Sequence, residues 1–378
     1  MSKTLQDYAT LINDTIQSNE INHYITTDNM RQNLGGIDTL KNINIPQGKV
    51  RSFQKDDVLL SNIRLYFRKV YKAKQKGGCS SDILVFRAKH IDSATLFAIL
   101  SSQIFTDYAC LGSQGSKMPR GNKTHMMDFK IPTINFTIAK IFNSIQNKIE
   151  NNHKINELLH KILELLYEQY FVRFDFLDEN NKPYQTSGGK MKFSKELNRL
   201  IPSGWSVRFL NHKIVSTYQP KTISKTLLND SYSYSVYGGG GIIGRFTEYN
   251  HEQSEFIISC RGQCGISYLT LPKSWITGNA MVIRPTKSYT SKTYLYHTIK
   301  KYKLTNYITG SVQPQITRQN LSTMPILIPK RKTLNKWNNI SSLLWNLIHN
   351  NMQETQTLTA LRDFLLPLLL TQQVKPPK

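Results

Sequence analysis

The chain has 378 residues, and 49 Lys and Arg against 25 Asp and Glu give it a formal net charge of +24 at pH 7. A charge this positive attracts polyanions, which favours nucleic acid as the partner. No apolar run approaches the roughly 18 residues of a membrane span, and no signal-peptide pattern opens the chain. We therefore expect a cytoplasmic protein that has no membrane partner.

The first 132 residues are predicted to form a globular module of helices and strands. Apolar residues at helical spacing predict an amphipathic helix over residues 4–18. Short apolar runs at 58–63 and 82–88, bounded by Gly, Asn, Lys and Pro, predict buried strands. A further helix is predicted near 93–108.

Two long helices are predicted, because apolar residues keep to one face from 137 to 172 and again from 334 to 370. The first run corresponds to about 54 Å of helix at 1.5 Å per residue. Paired asparagines, Asn151-Asn152 and Asn350-Asn351, interrupt both stripes midway. We predict that the helices pair side by side as a coiled coil whose asparagine layer sets the register. The alternative is that each stripe packs only on its own globular module.

The second half of the chain repeats the layout of the first at an offset of roughly 198 residues. Segment 57–61 (DVLLS) is echoed by 255–259 (EFIIS). Further matches follow in the same order: Val85-Phe86-Arg87 with Val282-Ile283-Arg284, Gly112-Ser113 with Gly310-Ser311, and Ile131-Pro132 with Ile328-Pro329. Chance does not readily place four matches in order, so we predict a duplicated module.

The segment 171–207 carries the most distinctive motifs of the chain. They are Phe171, Phe174 and Phe176, then Lys182-Pro183-Tyr184, Ser187-Gly188-Gly189 and Ile201-Pro202-Ser203-Gly204-Trp205. A Gly-x-x-Gln-x-x-Ile pattern in 310–329 closes the second module. In this order, and over the whole chain, the motifs resemble the specificity subunits of type I restriction-modification systems. One feature departs from that family, because MSKTLQDYATLIND stands where the family places a first Ile-Pro-x-Gly-Trp opening.

Together with the repeat, this resemblance implies an α+β fold with two similar target recognition domains joined by two long antiparallel coiled-coil helices, in a pseudo-twofold arrangement. The predicted parts are target recognition domain 1 (1–132), the first spacer helix (133–172), a linker (173–200), target recognition domain 2 (201–329), and the second spacer helix with the C-terminal tail (330–378). The helix length is predicted to set the unread spacer of the DNA site.

The resemblance also implies a function in phage defence. Each recognition domain would read one half of a bipartite site in double-stranded DNA, and the chain would recruit two methyltransferase subunits. Those partners use S-adenosylmethionine to methylate adenine at N6, whereas this chain is expected to hold no cofactor and to have no catalytic activity. Two restriction subunits are a further, optional partner. The family resemblance assigns the helices to partner binding, for which the candidates are Ile145, Leu159, Leu166, Leu344 and Leu361.

Base reading requires side chains with paired donors or acceptors, because Arg fits guanine O6 and N7 while Gln or Asn fits adenine. The candidates in polar stretches of the two modules are Asn62, Arg64, Gln114, Lys117, Arg120, Arg245, Arg261, Gln263, Gln313, Gln315 and Arg318. The loop after each Gly-Ser pair is favoured, since Gln114 aligns with Gln313 and Lys117 with Gln315. The alternative for each residue is an ordinary solvated loop, and other Lys and Arg are expected to contact phosphates without sequence preference.

Catalytic alternatives find little support in the sequence. A nuclease needs clustered carboxylates, and Asp175, Glu179 and Lys182 match that requirement only loosely. The stretch 181–184 lacks one proline of the tetrad that an adenine methyltransferase needs. The four cysteines show no zinc spacing, so no metal site is predicted. The competing functions are a nucleic-acid scaffold such as an RNA clamp and a standalone nuclease-methyltransferase.

Overall fold

The structure is a computed structural model that describes residues 3–39, 41–131, 134–229, 232–311 and 313–370. The chain divides into two compact units. Unit 1 comprises Met1–Glu157 with Asn350–Lys378, and unit 2 comprises Leu158–His349. Both units mix helices and strands, which confirms the α+β class. Among the helices in these ranges, none is by itself long and apolar enough to cross a membrane, although the bent pair Ser93–Ser101 and Gln103–Leu111 together meets that requirement.

The helices range from single turns to more than thirty residues. They are α1 Leu5–Tyr8, α2 Ser93–Ser101, α3 Gln103–Leu111, α4 Lys123–Met127, α5 Phe136–Tyr167, α6 Lys292–Lys301, α7 Arg318–Leu321 and α8 Arg331–Leu365. The two long helices lie within the stretches predicted for the spacers. A π-helical turn, Glu168–Val172, continues α5.

The strands are short in both units. Those of unit 1 are β1 Lys3–Thr4, β2 Ala9–Ile12, β3 Thr15–Gln17, β4 Tyr24–Ile25, β5 Lys49–Phe53, β6 Val58–Ser61, β7 Val70–Lys72, β8 Gly77–Cys79, β9 Ile83–Ala88 and β10 Lys130–Ile131. Those of unit 2 are β11 Met191–Ser194, β12 Arg199–Pro202, β13 Ser206–Phe209, β14 Val215–Tyr218, β15 Tyr234–Gly238, β16 Gly241–Phe246, β17 Phe256–Ser259, β18 Ser267–Leu269, β19 Trp275–Ile276, β20 Ala280–Pro285, β21 Ile308–Thr309, β22 Gln315–Ile316 and β23 Pro325–Ile328.

The central sheet of unit 1 has the strand order β2-β9-β6-β7, with antiparallel neighbours. Residues 58–60 of β6 and 83–86 of β9 are all apolar because both faces of these middle strands are covered. Leu60 and Phe86 point into a core shared with α2 and α3, whereas Leu59 and Val85 point into the core beneath the second sheet, β3-β5-β8-β4. The two predicted buried strands correspond to β6 and β9.

Unit 2 contains a central sheet of the corresponding order, β14-β20-β17-β18, also antiparallel. Ile257 packs toward Tyr237 and Ile276 of the second sheet, β16-β15-β19, while Phe256 packs against Tyr296 of α6. The outer sheets of the two units differ in strand order, so the repeat is closest in the central sheets.

An ion pair recurs at the corresponding place in each central sheet. Arg87 of β9 donates to both carboxylate oxygens of Asp57 at 2.8 Å, and Arg284 of β20 donates to Glu255 at 2.6 and 3.0 Å. Both carboxylates are buried. The hydrogen bonds raise the pKa of each guanidinium above its usual range. The matched Arg87 and Arg284 of the sequence repeat therefore have the same structural role.

The predicted opening helix over residues 4–18 is wrong. A single helical turn, α1, is followed by strands β2 and β3. Leu11 and Ile12 were expected to lie on a helix, but they belong to β2. This strand pairs with β9 of the central sheet through Leu11–Phe86 and Ile12–Val85. Sheet pairing has overridden a short apolar pattern that fits either element. Pro132, which closes the first repeat in the sequence, lies outside the described residues.

In unit 1, the N-terminal part of α5 packs antiparallel to the C-terminal part of α8. Two residues of the predicted asparagine layer form hydrogen bonds with the opposite helix. Asn152 donates to Glu354 at 2.8 Å, and Asn351 donates to Asn156 at 2.8 Å. Each asparagine therefore contacts a different polar residue of the opposite helix, and Lys148 adds an ion pair with Glu354 at 3.2 Å.

In unit 2, the C-terminal part of α5 packs antiparallel to the N-terminal part of α8 through aromatic and histidine rings. His160, His297 and His349 surround Trp345, with ring centroids 5.1, 6.4 and 5.8 Å from it. Burial lowers the pKa of all three histidines, to about 3 for His297 and about 4 for His349. These two rings are therefore neutral at pH 7.

The segment predicted as a linker is packed into unit 2. Phe171, Phe174 and Phe176 surround Trp205 with ring centroids 5.1 to 6.0 Å away, and the Arg199 guanidinium lies 4.5 Å from the Phe174 ring centroid. Strands β11 and β12 form a hairpin just before Trp205. The aromatic motif and the Ile-Pro-x-Gly-Trp motif are thus two halves of one buried cluster.

Candidate nucleic-acid interface

The candidates of unit 1 come together at the end of β6. Ile63 and Arg120 form an isolated antiparallel bridge, and so do Gln114 and Arg120. The Arg64 amide donates to Pro119 O at 2.9 Å, and its guanidinium donates to Lys117 O at 3.2 Å. Gln114, Lys117 and Arg120 are exposed, whereas Asn62 and Arg64 are half-buried. Ile63 and Arg64, which follow β6, therefore hold the loop 114–120 at the end of this strand.

Glycines shape this loop. Gly115 has φ +101°, a backbone conformation that side chains other than glycine disfavour. At Gly121 an added Cβ would collide with Met126 and lie 2.8 Å from Leu65. The close approach places Gly121 N 3.2 Å from Asn62 O, which fixes the neighbouring Arg120.

Unit 2 brings four of its candidates together in the corresponding place. Arg261 follows β17 by two residues and bridges to Gln315. Gln263 lies in the same turn, where its carbonyl accepts a short hydrogen bond from Ser259. Gln313 occupies the turn before β22. All four side chains are exposed.

Backbone contacts correct the predicted alignment of the two loops. In unit 1, Asn62 N donates to Asp82 O at 2.8 Å and Gly121 N donates to Asn62 O. In unit 2, Cys260 N donates to Asn279 O and Ile316 N donates to Cys260 O, both at 3.0 Å. Gln315 therefore corresponds to Arg120 rather than to Lys117. The sequence alignment missed this because the second loop is shorter.

Two candidates lie apart from these loops. Arg245 is on β16, where its guanidinium donates to Tyr232 O and Ser233 O at 3.4 and 3.2 Å. Arg318 is exposed at the first position of α7 and lines a cavity of about 490 Å³ with His212 and Thr217.

The glycine run 238–241 forms the tip of the β15–β16 hairpin, with Gly239 and Gly240 in the turn. A Cβ at Gly239 would lie 2.7 Å from Arg261 O, so the tip packs closely on the Arg261 loop. The run is thus a structural support for a candidate loop.

The sequence analysis missed one charged residue at this surface, Asp82. Its carboxylate lies 2.8 Å from the Arg120 guanidinium. It precedes β9 in a turn, and no local pattern distinguishes it from other loop acids. Within the described ranges, no group of three or more His, Cys, Asp and Glu side chains is arranged to hold a metal ion.

The candidates for partner binding differ in accessibility. Ile145 is only 8% exposed within unit 1 and is not available at the surface, while Leu361 is 44% exposed. Leu159, Leu166 and Leu344 are half-buried. The more exposed apolar side chains of the helices within unit 2 are Leu158, Ile162, Leu165, Ile340, Leu343 and Leu347.

The family model of the type I restriction modification DNA specificity domain matches residues 202–360. The chain is 21% identical over 321 residues to the type I restriction enzyme MjaIX specificity subunit of Methanocaldococcus jannaschii, covering 75% of this chain and 69% of that protein. These matches bear on the resemblance to the type I specificity subunits, which covers the chain from its second module to its last long helix. The predicted resemblance is thereby confirmed.

The fold agrees with this family. The crystal structure of the type I restriction-modification S subunit from M. genitalium superposes with a TM-score of 0.63 at 15% identity, covering 99% of this chain and 96% of that one. The family-model match spans the second module and most of α8. The first module has the corresponding central strand order but lies outside that match.

We predict that Gly239→Ala destabilises the Arg261 loop. The added methyl would meet Arg261 O at 2.7 Å, and relieving such overpacking costs about 1–3 kcal/mol. The melting temperature of the variant should therefore fall. Gly240→Ala is the matched control, because nothing lies within 4 Å of its Cβ position. Equal effects of the two substitutions would contradict the role of Gly239.

Proposed function

We propose that this specificity subunit reads a bipartite site in double-stranded DNA, one half-site with each module. It acts without a catalytic centre of its own and recruits two methyltransferase subunits, which use S-adenosylmethionine to methylate adenine at N6. Restriction subunits are an additional partner of the complex. This role assigns the protein to the cytoplasm, where it meets DNA.

The observation that best supports two reading modules is the repeated placement of exposed Arg and Gln side chains beyond β6 and β17. In each module the central strand order is the same, and a bridge holds the reading loop at the strand end. Paired donors and acceptors on a rigid backbone suit base edges in the major groove. The net charge of +24 supplies the attraction for phosphates.

The helices support the recruitment of partners. Within unit 2, Leu158, Ile162 and Leu165 of α5 are exposed, and Ile340, Leu343 and Leu347 of α8 are exposed as well. Soluble proteins rarely leave many large apolar side chains in contact with water, so such residues commonly mark a binding surface. We assign the methyltransferase contact to these side chains together with Leu159, Leu166, Leu344 and Leu361.

The test is the pattern of adenine methylation in the native host after the gene is deleted and then restored. Restoration should return N6-methyladenine to one motif with two defined halves, and the tagged protein should co-purify with a methyltransferase. Unchanged methylation after deletion, or purification with RNA and no methyltransferase, would contradict the proposal and favour a general nucleic-acid scaffold.

Arg318→Ala should relax or abolish reading of one half-site, because loss of a bidentate base contact costs about 1–3 kcal/mol of discrimination. Lys221→Ala is the control, since it removes one charge from an exposed position of the same unit. Loss of a phosphate contact weakens all sequences alike and lowers the salt dependence. Methylome sequencing distinguishes the two effects. An unchanged motif in the Arg318 variant would remove Arg318 from the reading residues.

A further inference from the structure

Arg120 is the most firmly positioned of the exposed candidates in unit 1. Its backbone N and O form hydrogen bonds of 2.8 and 2.9 Å with Gln114. On one side, Gly121 N donates to Asn62 O, and on the other, Pro119 O accepts from Arg64 N. The backbone of Arg120 is therefore held by the end of β6 and by its own hairpin, while 61% of its side chain remains exposed.

Asp82 restricts the Arg120 side chain through an ion pair that does not have the geometry of a regular hydrogen bond. Its carboxylate is 2.8 Å from the guanidinium and is 29% exposed. Asp82 is itself positioned by the sheet, because it directly precedes β9 and its carbonyl accepts from Asn62 N at 2.8 Å. A carboxylate that contacts one edge of a guanidinium restricts its orientation and leaves other N–H groups free to donate.

The ion pair itself contributes little to folding. A largely exposed pair is typically worth about 0–1 kcal/mol. A carboxylate at a phosphate-binding surface also opposes DNA binding electrostatically. Its presence beside the candidate reading residue therefore calls for a role other than stability or affinity.

The corresponding position of unit 2 is uncharged. Gln315 takes the place of Arg120, and Asn279 takes the place of Asp82, since its carbonyl accepts from Cys260 N at 3.0 Å. The acid thus accompanies the arginine and is absent where the reading residue is glutamine. This covariation between the two modules of one chain is expected if the carboxylate serves the guanidinium.

On the basis of the proposed function, we propose that Arg120 is a specificity-determining residue that reads a guanine in one half-site, and that Asp82 is the positioning residue that orients its guanidinium. A bidentate Arg contact fits O6 and N7 of guanine and no other base. Gln315, at the corresponding position of the other module, has the donor and acceptor that fit adenine. The two modules therefore read different bases from equivalent positions.

The test uses the complete chain expressed in its native host, with N6-methyladenine mapped by sequencing. Arg120→Ala should lower discrimination for guanine at one base pair of one half-site by about tenfold or more. Arg120→Lys should do the same, because lysine keeps the charge but lacks the bidentate fork. Asp82→Asn should relax the same base pair by a smaller factor, and the other half-site should stay unchanged in all three variants.

The matched control is Asp56→Asn, which removes another carboxylate of unit 1 that faces a lysine, Lys72, at 3.7 Å. It should leave the motif as in the wild type. Thermal melting of each variant verifies folding.

Relaxation at different base pairs in the Arg120 and Asp82 variants would overturn the inference, as would an unchanged motif in Asp82→Asn. An unchanged motif in Arg120→Ala would also overturn it, yet leave the proposed function intact as long as the wild type directs bipartite methylation. Absence of such methylation in the wild type would instead refute the proposed function.

Discussion

Deleting one heptad from both long helices is expected to shorten the unread spacer of the DNA site by about three base pairs. Seven helical residues span about 10.5 Å at 1.5 Å each, and successive base pairs are about 3.4 Å apart. The reading loops belong to the globular parts of the units, so the bases of the two half-sites should not change. Methylome sequencing of the variant measures both quantities.

A deletion from α5 alone provides the control for the heptad experiment. It would move Asn152 out of register with Glu354, and Asn156 out of register with Asn351. Loss of these half-buried polar pairs should destabilise the protein instead of producing a new motif. An unchanged spacer in a folded double-deletion variant would refute the idea that helix length sets the spacing.

Acidification is expected to destabilise unit 2 by about 4 kcal/mol between pH 7 and pH 5. The pKa of His297 is about 3 and that of His349 about 4, because both rings are buried and lie near lysines. In the unfolded chain a histidine titrates near pH 6.5. The stability from the neutral rings is therefore fully present above pH 6.5 and falls by about 1.4 kcal/mol per histidine for each pH unit below it.

Tryptophan fluorescence in urea measures this effect specifically, because Trp205, Trp275, Trp337 and Trp345 all belong to unit 2. His297→Gln should remove about half of the pH dependence, since glutamine stays neutral at every pH of the experiment. His90→Gln, at an exposed position of unit 1, is the control. The same pH dependence in wild type and His297→Gln would show that these histidines are not responsible.

The sequence predicted the elements whose apolar residues extend over many helical turns or over most of a buried strand. The apolar stripes of α5 and α8 extend over many turns, and residues 58–60 of β6 and 83–86 of β9 are all apolar because both faces of these strands are covered. The opening helix was predicted wrongly because the short apolar pattern that includes Leu11 and Ile12 fits a helix as well as a strand. Only the pairing of β2 with β9, across more than seventy residues of chain, decides between them.

The candidate site was predicted in part for a similar reason. Candidate Asn, Gln, Lys and Arg residues in polar loops are visible in the sequence, and the structure collects five of them at the end of β6 and four beyond β17. Asp82 was missed because its importance lies in a contact with Arg120, almost forty residues later. The equivalence of Gln315 with Arg120 also depends on hydrogen bonds across the sheet, which a repeat of fixed length does not reveal.

Unit 1 is assembled from two separated stretches of chain, and this affects the order in which a newly made polypeptide can fold. Leu366, Leu369 and Leu370 are buried in the same core as Leu96 and Phe142. These three leucines leave the ribosome after every residue of unit 2, which is a single continuous segment. Unit 1 therefore completes its hydrophobic core only after all of unit 2 has been synthesised. A chain that ended before Leu366 would leave that core open to water.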